Sequence, residues 1–424
     1  MRVLIVNTSE RVGGAAVAAS RLLAALNNNG VKAKMLVRDK QSDDIKVVSV
    51  GQQWLMRWRF LWERFVVFCH LRFSRHRLFE IDIANTGVDI TRLPEFREAD
   101  IIHLHWVNQG MLSLKDIRRI IRTGKPVVWT MHDLWPATAI CHYARQCRHY
   151  RNHCGHCPLL PGSGSHDLAA RVWKRKQNMI GQGSSVFFVA CSRWLEGEAK
   201  NSALLRGQSI TSIPNAIDTR RYHPQDKAEA RTALGMPTEG PVILFVSQRV
   251  TDERKGIAFL VKAIGKLLAM RPELKDNARV AILGGHADDV ASQLALPVHA
   301  LGYVSDEKTI VSVYNAADVF VTPSLEDNLP NTIMEAMACG VPCVGFRVGG
   351  IPEMIDHKKN GYVAQLRDSD DLAQGMAWVL CEADAGELQR SAVKKVVQNY
   401  SQASVTMRYS EVYQQAVAQK HFRL

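Results

Sequence analysis

Short apolar runs alternate with glycine loops and amphipathic helical stretches, and this rhythm limits the folds open to the chain. Residues 1–7 form an apolar run suited to a buried parallel strand. Gly13, Gly14 and small residues follow, then a helical pattern carried by Val17, Leu22, Leu23 and Leu26. Strands are expected over 31–37, 100–106, 126–130 and 185–191, with an amphipathic basic helix over 114–122. Residues 212–222, SIPNAIDTRRY, carry Pro, Asn and Asp and read as a crossing linker. The pattern then restarts. Strands are expected over 241–247, 280–283, 318–322 and 341–346, and helices over 256–270 and 331–339, the latter stopped by Gly340. Such alternation folds as an α/β doubly wound parallel sheet, and the restart makes two of them in tandem. The expected domains are 1–218 and 219–401, with a last helical stretch, 402–424, packing back on the first. A chain of 424 residues is too long for one ordinary core, which agrees. Doubly wound domains bind ligands beyond the carboxyl ends of their strands, so a central cleft between the halves is the expected site. That suits a nucleotide enzyme and equally a hinged binding protein.

Charge is divided unevenly. Residues 1–218 hold 31 Lys+Arg against 17 Asp+Glu, whereas residues 219–424 hold 23 against 24. The whole formal charge of +13 therefore belongs to the first half, which calls for an anionic partner there: a membrane surface, a phosphorylated ligand or nucleic acid. The start, MRVLIVNTS, lacks the apolar core and cleavage site of a signal peptide. No apolar run reaches the roughly 18 residues of a transmembrane helix. The nine cysteines are expected to stay reduced in a cytoplasmic protein.

Chemistry concentrates in a few places. Residues 323–350, PSLEDNLPNTIMEAMACGVPCVGFRVGG, place a loop with two carboxylates between a strand and a helix. The helix N-terminus offers unpaired N–H groups to a diphosphate. Glu335, one turn inside, is placed to accept two vicinal ribose hydroxyls. The plainer alternative is that these acids only cap or solvate the helix. Arg249 and Lys255 follow a strand, where fixed cations would stabilise a departing nucleoside diphosphate more than the bound donor. Arg254 reads as a solvated neighbour. Gly13 and Gly14 allow close backbone approach to phosphates or acceptor, or simply make a tight turn. His132 follows a strand, where it can hydrogen-bond a reacting sugar or carry a proton; Asp133 would orient it or cap the next segment. His103 and His105 share one sheet face, as acceptor-side groups or as packed structural histidines.

Residues 323–350, followed by Ile351-Pro352-Glu353, together with the IPNAID linker, Arg249…Lys255-Gly256 and Thr130-Met131-His132-Asp133, resemble the signature of the family 4 glycosyltransferases. These are retaining enzymes of GT-B fold, and the resemblance covers nearly the whole chain. It implies that Asp327 holds a hydroxyl of the donor sugar and Glu335 the ribose. The family carries Glu at the first of these positions. Asp is shorter by one methylene, which shifts sugar binding toward the backbone at Asn328 and Leu329, and Glu326 stands one residue earlier. The resemblance also places His132 near the donor sugar. It implies front-face transfer in which the leaving diphosphate helps to take the acceptor proton. It implies no catalytic divalent metal, because Arg249, Lys255 and a helix terminus meet the phosphates.

Cys141, Cys147, Cys154 and Cys157 lie within an insert over 141–157, interleaved with four histidines. A C-x2-C pair plus two more cysteines suits a structural Zn2+ site. Free or redox-paired thiols and another metal cluster remain open. A similar insert recurs in family 4 enzymes that build bacterial exopolysaccharide of the colanic-acid type, which implies a lipid-linked glycan acceptor and a role in surface polysaccharide or lipopolysaccharide synthesis. Residues 54–79 interleave eight aromatic residues with six Arg. On a helix, Trp54, Trp58, Leu61, Trp62, Phe65 and Cys69 share a face, with Arg57, Arg59, Glu63 and Arg64 away from it. This is either an interfacial segment docking on anionic lipid or a buried aromatic face with solvated arginines. The expected location is therefore peripheral, at the inner face of the plasma membrane. Other readings are a GT-B nucleotide-sugar epimerase or phosphorylase, or a non-catalytic nucleotide or nucleic-acid binder. Arg249, Lys255 and Glu335 lie in the near-neutral half, where a nucleic-acid binder has no need of them, so no nucleic-acid partner is expected.

Overall fold

The computed structural model describes residues 1–181 and 186–421. The chain divides into two compact units, one built from Met1–Ala216 and Val405–Leu424, the other from Ile217–Ser404.

The first unit is a seven-stranded sheet of β1 (Arg2–Ser9), β2 (Lys32–Asp39), β3 (Val47–Ser49), β4 (Ile101–Leu104), β5 (Val127–Met131), β6 (Val186–Ala190) and β7 (Ser209–Ser212). Their order is β3-β2-β1-β4-β5-β6-β7, and every pairing is parallel. Parallel strands need helical crossovers, which cover both faces, so the strands read as unbroken apolar runs. In β1 the side chains alternate. Val3 and Ile5 join the core that holds helix Gly14–Asn28 and Val405, Tyr409 and Tyr413 of the last helix. Leu4 and Val6 join the opposite core, with Ile117, Trp135 and Trp173. The last helix, Gln402–His421, thus completes one face of the first sheet. Ser185, the expected first residue of β6, and residues 422–424 of the expected final helical stretch lie outside the described residues.

The second unit is a six-stranded sheet of β8 (Val242–Arg249), β9 (Arg279–Gly285), β10 (Val298–Gly302), β11 (Val319–Thr322), β12 (Cys343–Phe346) and β13 (Gly361–Ala364). Their order is β10-β9-β8-β11-β12-β13, again all parallel. The helix expected from 256 begins at Ile257, because Gly256 is left-handed at φ 73° and forms its cap. The strand expected over 100–106 stops at Leu104. There Trp106 N–H leaves the ladder and donates to Asn7 Oδ1 at 2.9 Å.

The helix Gln53–His70 is oriented against its own apolar pattern. Trp58 and Trp62 are 66% and 56% exposed. Glu63 and Arg64, expected on the solvated side, are buried. Their reason for being inside is hydrogen bonding. Glu63 Oε1 accepts from Ile83 N at 3.1 Å and Ala84 N at 2.8 Å. Arg64 donates to the carbonyls of Leu78 and Ile81 and pairs with Asp82. Among the described residues, no helix is long and apolar enough to cross a membrane.

Candidate active site

Each sheet reverses its winding once, between β1 and β4 in the first unit and between β8 and β11 in the second. Crevices for ligands open at such points, outside the carboxyl ends of the strands. Gly13 and Gly14 follow β1, Arg249 ends β8 with Lys255 after it, and Asp327 and Glu335 follow β11, at these two points.

In the second unit, neighbouring strands β8, β11 and β12 deliver three loops. Arg249 closes β8 and is exposed, with Nε donating to Thr251 Oγ1 at 3.2 Å. Lys255 Nζ donates to Asp327 Oδ2 at 2.7 Å, so two residues proposed for different tasks form one ion pair. Asp327 also accepts from Ser324 Oγ at 3.4 Å and from Asn328 N at 3.1 Å. The loop is clamped from both sides by glycines. A Cβ on Gly256 would collide with the Pro323 carbonyl, and one on left-handed Gly349 with the Asp327 carbonyl. Gly350 N donates to Asn328 O at 2.7 Å. Asn328 and Leu329 are buried, and the Asn328 backbone is held between Asp327 Oδ1 and Gly350 N. Arg254 is a latch and not a solvated neighbour. Its guanidinium spans Asp252 Oδ2 at 3.3 Å and the Glu326 carbonyl at 3.4 Å, and its own carbonyl accepts from Leu325 N.

Glu335 sits in helix Asn331–Ala338, whose N-terminus opens from this loop. Its Oε2 accepts from Tyr314 Oη at 2.6 Å. Tyr314 is fully buried, and burial together with the Glu335 charge pushes its phenol well up, so it remains a donor. The sequence reading missed Tyr314. Its signal is the buried face of helix Glu307–Asn315, visible only once that helix is in register with Asn331–Ala338.

In the first unit, Gly13 has φ 94° and caps helix Gly14–Asn28 without a side chain. The loop before it is fixed by Glu10, another residue the sequence reading missed. Its buried carboxylate accepts from Gln41 N at 2.6 Å and Ser42 N at 2.9 Å. His132 follows β5. Its Nε2 lies 2.9 Å from His105 Nδ1, and its Nδ1 lies 3.4 Å from Cys191 Sγ. His103 bridges Thr130 Oγ1 at 2.7 Å and Tyr413 Oη at 2.8 Å, and Thr130 reaches Tyr409 Oη at 2.9 Å. His103 and His105 are thus buried members of a polar chain running to the last helix. Burial lowers all three imidazoles: His132 to about 4, His103 to about 3, and His105 well below the usual value. His132 is therefore a neutral hydrogen-bonding ring near pH 7, not a cation.

Asp133 caps the next turn and touches the insert. Oδ1 accepts from Trp135 N at 2.8 Å, while Oδ2 meets His142 Nδ1 at 2.7 Å and Trp106 Nε1 at 3.1 Å. His142 Nε2 reaches Asp82 Oδ2 at 2.7 Å. Burial alone would lower His142, but the two carboxylates overcome it and push it up to about 10. His142 was passed over in the sequence as one of several histidines among the cysteines. Cys141 and Cys147 are half-buried and Cys154 and Cys157 buried, and all nine cysteines are free thiols.

Residues 12–221 match the family model described as Glycosyltransferase Family 4, and residues 240–382 match Glycosyl transferases group 1. An uncharacterized glycosyltransferase of Methanocaldococcus jannaschii is 32% identical over 368 residues, covering 80% of this chain and 90% of that protein. D-inositol 3-phosphate glycosyltransferase of Saccharomonospora viridis is 27% identical over 221 residues, covering 50% of this chain; the chain spans about half, 51%, of that relative's length. The solved structure of Anabaena HepE in complex with UDP and glucose superposes with a TM-score of 0.63 at 16% identity, covering 98% of this chain and 100% of that one. The fold of two Rossmann-like parallel-sheet domains, GT-B, is the one these structures share.

Proposed function

The chain belongs to the family 4 glycosyltransferases, and from that premise we propose that it moves a sugar, with retention, from a nucleoside-diphosphate donor to a lipid-linked glycan acceptor in bacterial surface polysaccharide synthesis. The observation that carries the donor half is the loop 323–330 of the second unit. There Lys255 and Asp327 form an ion pair at the winding reversal, with Arg249 at the end of the neighbouring strand and Glu335 held by Tyr314. The diphosphate would sit against the N-terminus of helix Asn331–Ala338, forked by Arg249 and met by Lys255 as a point charge. Glu335 would accept the ribose hydroxyls. Asp327 and the backbone at 328–329 would hold the sugar. His132, as a neutral ring, would hydrogen-bond the sugar without adding charge.

In the transfer, the bond from the anomeric carbon to the diphosphate oxygen breaks as one to the acceptor oxygen forms on the same face. A diphosphate oxygen takes the acceptor proton. Arg249 and Lys255 stabilise the charge that grows on the leaving group, which is where fixed cations lower a barrier. The test is incubation with UDP-, GDP-, ADP- and dTDP-sugars, reading release of the nucleoside diphosphate. Release from one class, with thermal stabilisation by the matching nucleotide, is expected. No response to any nucleotide sugar, together with binding of nucleic acid, would overturn the reading.

The acceptor half rests on the helix Gln53–His70 and the turn after it. Trp54, Trp58, Leu61, Trp62, Phe65, Phe73 and Phe79 are exposed, beside exposed Arg57, Arg72 and Arg75. Monomer surfaces rarely expose large apolar patches, and this segment exposes six aromatic rings. Aromatic residues interleaved with arginine match the boundary of an anionic bilayer, with the rings at the headgroup level and the arginines on lipid phosphates. We assign this face to the inner surface of the plasma membrane, where a lipid-linked acceptor resides. Co-sedimentation with anionic but not neutral vesicles is expected; equal, negligible binding to both contradicts it.

A further inference from the structure

In the first unit, β1, β4 and β5 are neighbours, with β4 in the middle. Trp106 ties their carboxyl ends together. It comes two residues after β4 and is half-buried. Toward β1, its N–H donates to Asn7 Oδ1 at 2.9 Å, and its carbonyl accepts from Thr8 N at 2.8 Å and Thr8 Oγ1 at 2.9 Å. Asn7 carries the order onward. Its Nδ2 donates to Ser9 O at 2.6 Å, and Ser9 Oγ accepts from Val12 N at 3.1 Å, the residue before Gly13. Toward β5, the Trp106 indole Nε1 donates to Asp133 Oδ2 at 3.1 Å. A phenylalanine would offer a similar ring; the indole N–H is what supplies this bond.

Asp133 is held from its other sides as well. Oδ1 accepts from Trp135 N at 2.8 Å, and Oδ2 meets His142 Nδ1 at 2.7 Å. His142 Nε2 meets Asp82 Oδ2 at 2.7 Å. Carboxylates only accept, so both ring nitrogens donate and the ring is an imidazolium. Such charge-assisted bonds are short and strong. The Trp106 and His142 rings stack, with centroids 5.7 Å apart and planes 28° from parallel, within the range of a cation–π contact. His142 is itself anchored. Its carbonyl accepts from Leu134 N at 2.9 Å, and Asp82 beyond it pairs with Arg64. The side chain after His132 therefore cannot turn without breaking bonds to Trp106, Trp135 and His142.

We propose that Trp106 is a positioning residue for sugar transfer: through Asp133 it sets His132 against the β1 loop that leads to Gly13, so that the two keep one spacing. His142 shares the task from the opposite side of the same carboxylate. The proposal rests on the reading of His132 as a group that meets the donor sugar. Neither Trp106 nor His142 needs to touch substrate for this. Small misplacements of a group that orients a reacting centre are costly: a shift of about 1 Å can lower the rate by about a hundredfold.

Trp106→Phe in the full-length protein keeps a ring and deletes the N–H. With whichever UDP-, GDP-, ADP- or dTDP-sugar the wild-type protein cleaves, kcat should fall about tenfold to a hundredfold. KM for that donor, and affinity for its nucleoside diphosphate, should hold within about twofold, the split expected when bound substrate is kept but orientation is lost. His142→Gln should show the same split. Val405→Ala opens a cavity in the core under the last helix and controls for lost stability. It should lower Tm and leave kcat near the wild-type value. A second readout needs no activity. The ring nitrogen resonances of His132 in 15N-histidine-labelled protein, assigned with His132→Gln, should move in Trp106→Phe. Unmoved resonances would overturn the proposal, as would a kcat loss no greater than that of Val405→Ala or a loss confined to donor KM. A wild-type protein that cleaves no nucleotide sugar would overturn the functional reading instead, and the His132 resonances alone would then decide whether Trp106 sets that ring.

Discussion

Lys255 is shared between two partners in the proposed reaction, Asp327 now within 2.7 Å and the leaving diphosphate during transfer. Lys255→Ala should therefore lower kcat by about a hundredfold or more, the usual effect of removing a preorganised group that meets developing charge. Donor KM should change far less, and Lys255→Arg should recover part of the loss. Equal loss in Arg254→Ala would contradict this assignment, because Arg254 bonds to Asp252 and the Glu326 carbonyl and latches the loop. Tyr314→Phe removes a buried hydroxyl that donates to Glu335 Oε2. A hydrogen bond to a carboxylate contributes about 1.5–3 kcal/mol, so donor affinity should fall by roughly tenfold or more by calorimetry, with the fold intact. At this scale the sequence named Arg249, Lys255 and Glu335 from their order along strand, loop and helix, and Asp327 through the resemblance to the family. It could not reveal that Lys255 and Asp327 pair, nor that Tyr314 orients Glu335. Those facts depend on how loops from non-consecutive strands meet. His142 escaped for a similar reason: its two carboxylates, Asp82 and Asp133, lie far from it in sequence.

The helix Gln53–His70 shows where a periodic pattern misleads. Apolar residues at i, i+4, i+7 and i+8, as at Trp54, Trp58, Leu61 and Trp62, normally mark the inward face of a helix. Here they face outward, and the charged pair between them faces inward, because Arg64 donates to the Leu78 and Ile81 carbonyls and Glu63 accepts from the Ile83 and Ala84 amides. Burial, with Asp82 adding to it, pushes Glu63 up to about 7 against the pull of Arg64. The energetic consequences are opposite on the two faces. Arg64→Met takes the buried guanidinium from between Asp82 and Glu63 and leaves Asp82 to His142 alone; breaking such a buried pair costs up to about 3–5 kcal/mol, and a marked drop in Tm should follow. Replacing Trp58, Trp62 and Phe65 by Ser removes exposed rings only, so Tm should hold within a few degrees while anionic vesicle binding is lost. A large fall in Tm for the triple variant, with vesicle binding retained, would reverse the assignment of the two faces. The β/α alternation itself was legible throughout, because buried parallel strands announce themselves as apolar runs whatever their neighbours do.

Across the molecule, the first unit is assembled from both ends of the chain and seals two sets of imidazoles with opposite titration behaviour. That the final helix closes the first sheet was expected from its position after the second pattern. That its Tyr409 and Tyr413 complete a buried polar chain with Thr130 and His103 was not, since nothing in the helix's own sequence names a partner three hundred residues away. This construction makes stability depend on pH in a way that can be worked out. Burial holds His103 at about 3 and His132 at about 4, and His105 well below 6.5. In the unfolded chain all three titrate near 6.5. Between these values the unfolded state binds more protons, so the stability they contribute is present above pH 6.5 and is lost as pH falls toward 4. His142 has the reverse sign. Its folded value is raised to about 10 by Asp133 and Asp82, so the folded state binds the extra proton between pH 6.5 and 10. The stability from His142 is complete below 6.5 and is lost as pH rises toward 10. The two limbs together place the optimum near neutrality, which follows from sealed imidazoles and not from the isoelectric point of 9.4. Thermal unfolding from pH 4 to 10 should therefore trace a dome. His142→Gln should lower the dome and flatten its alkaline limb while leaving the acid limb in place. An alkaline limb that survives this substitution unchanged would show that the insert's imidazole does not carry the charge that binds Asp82 to Asp133.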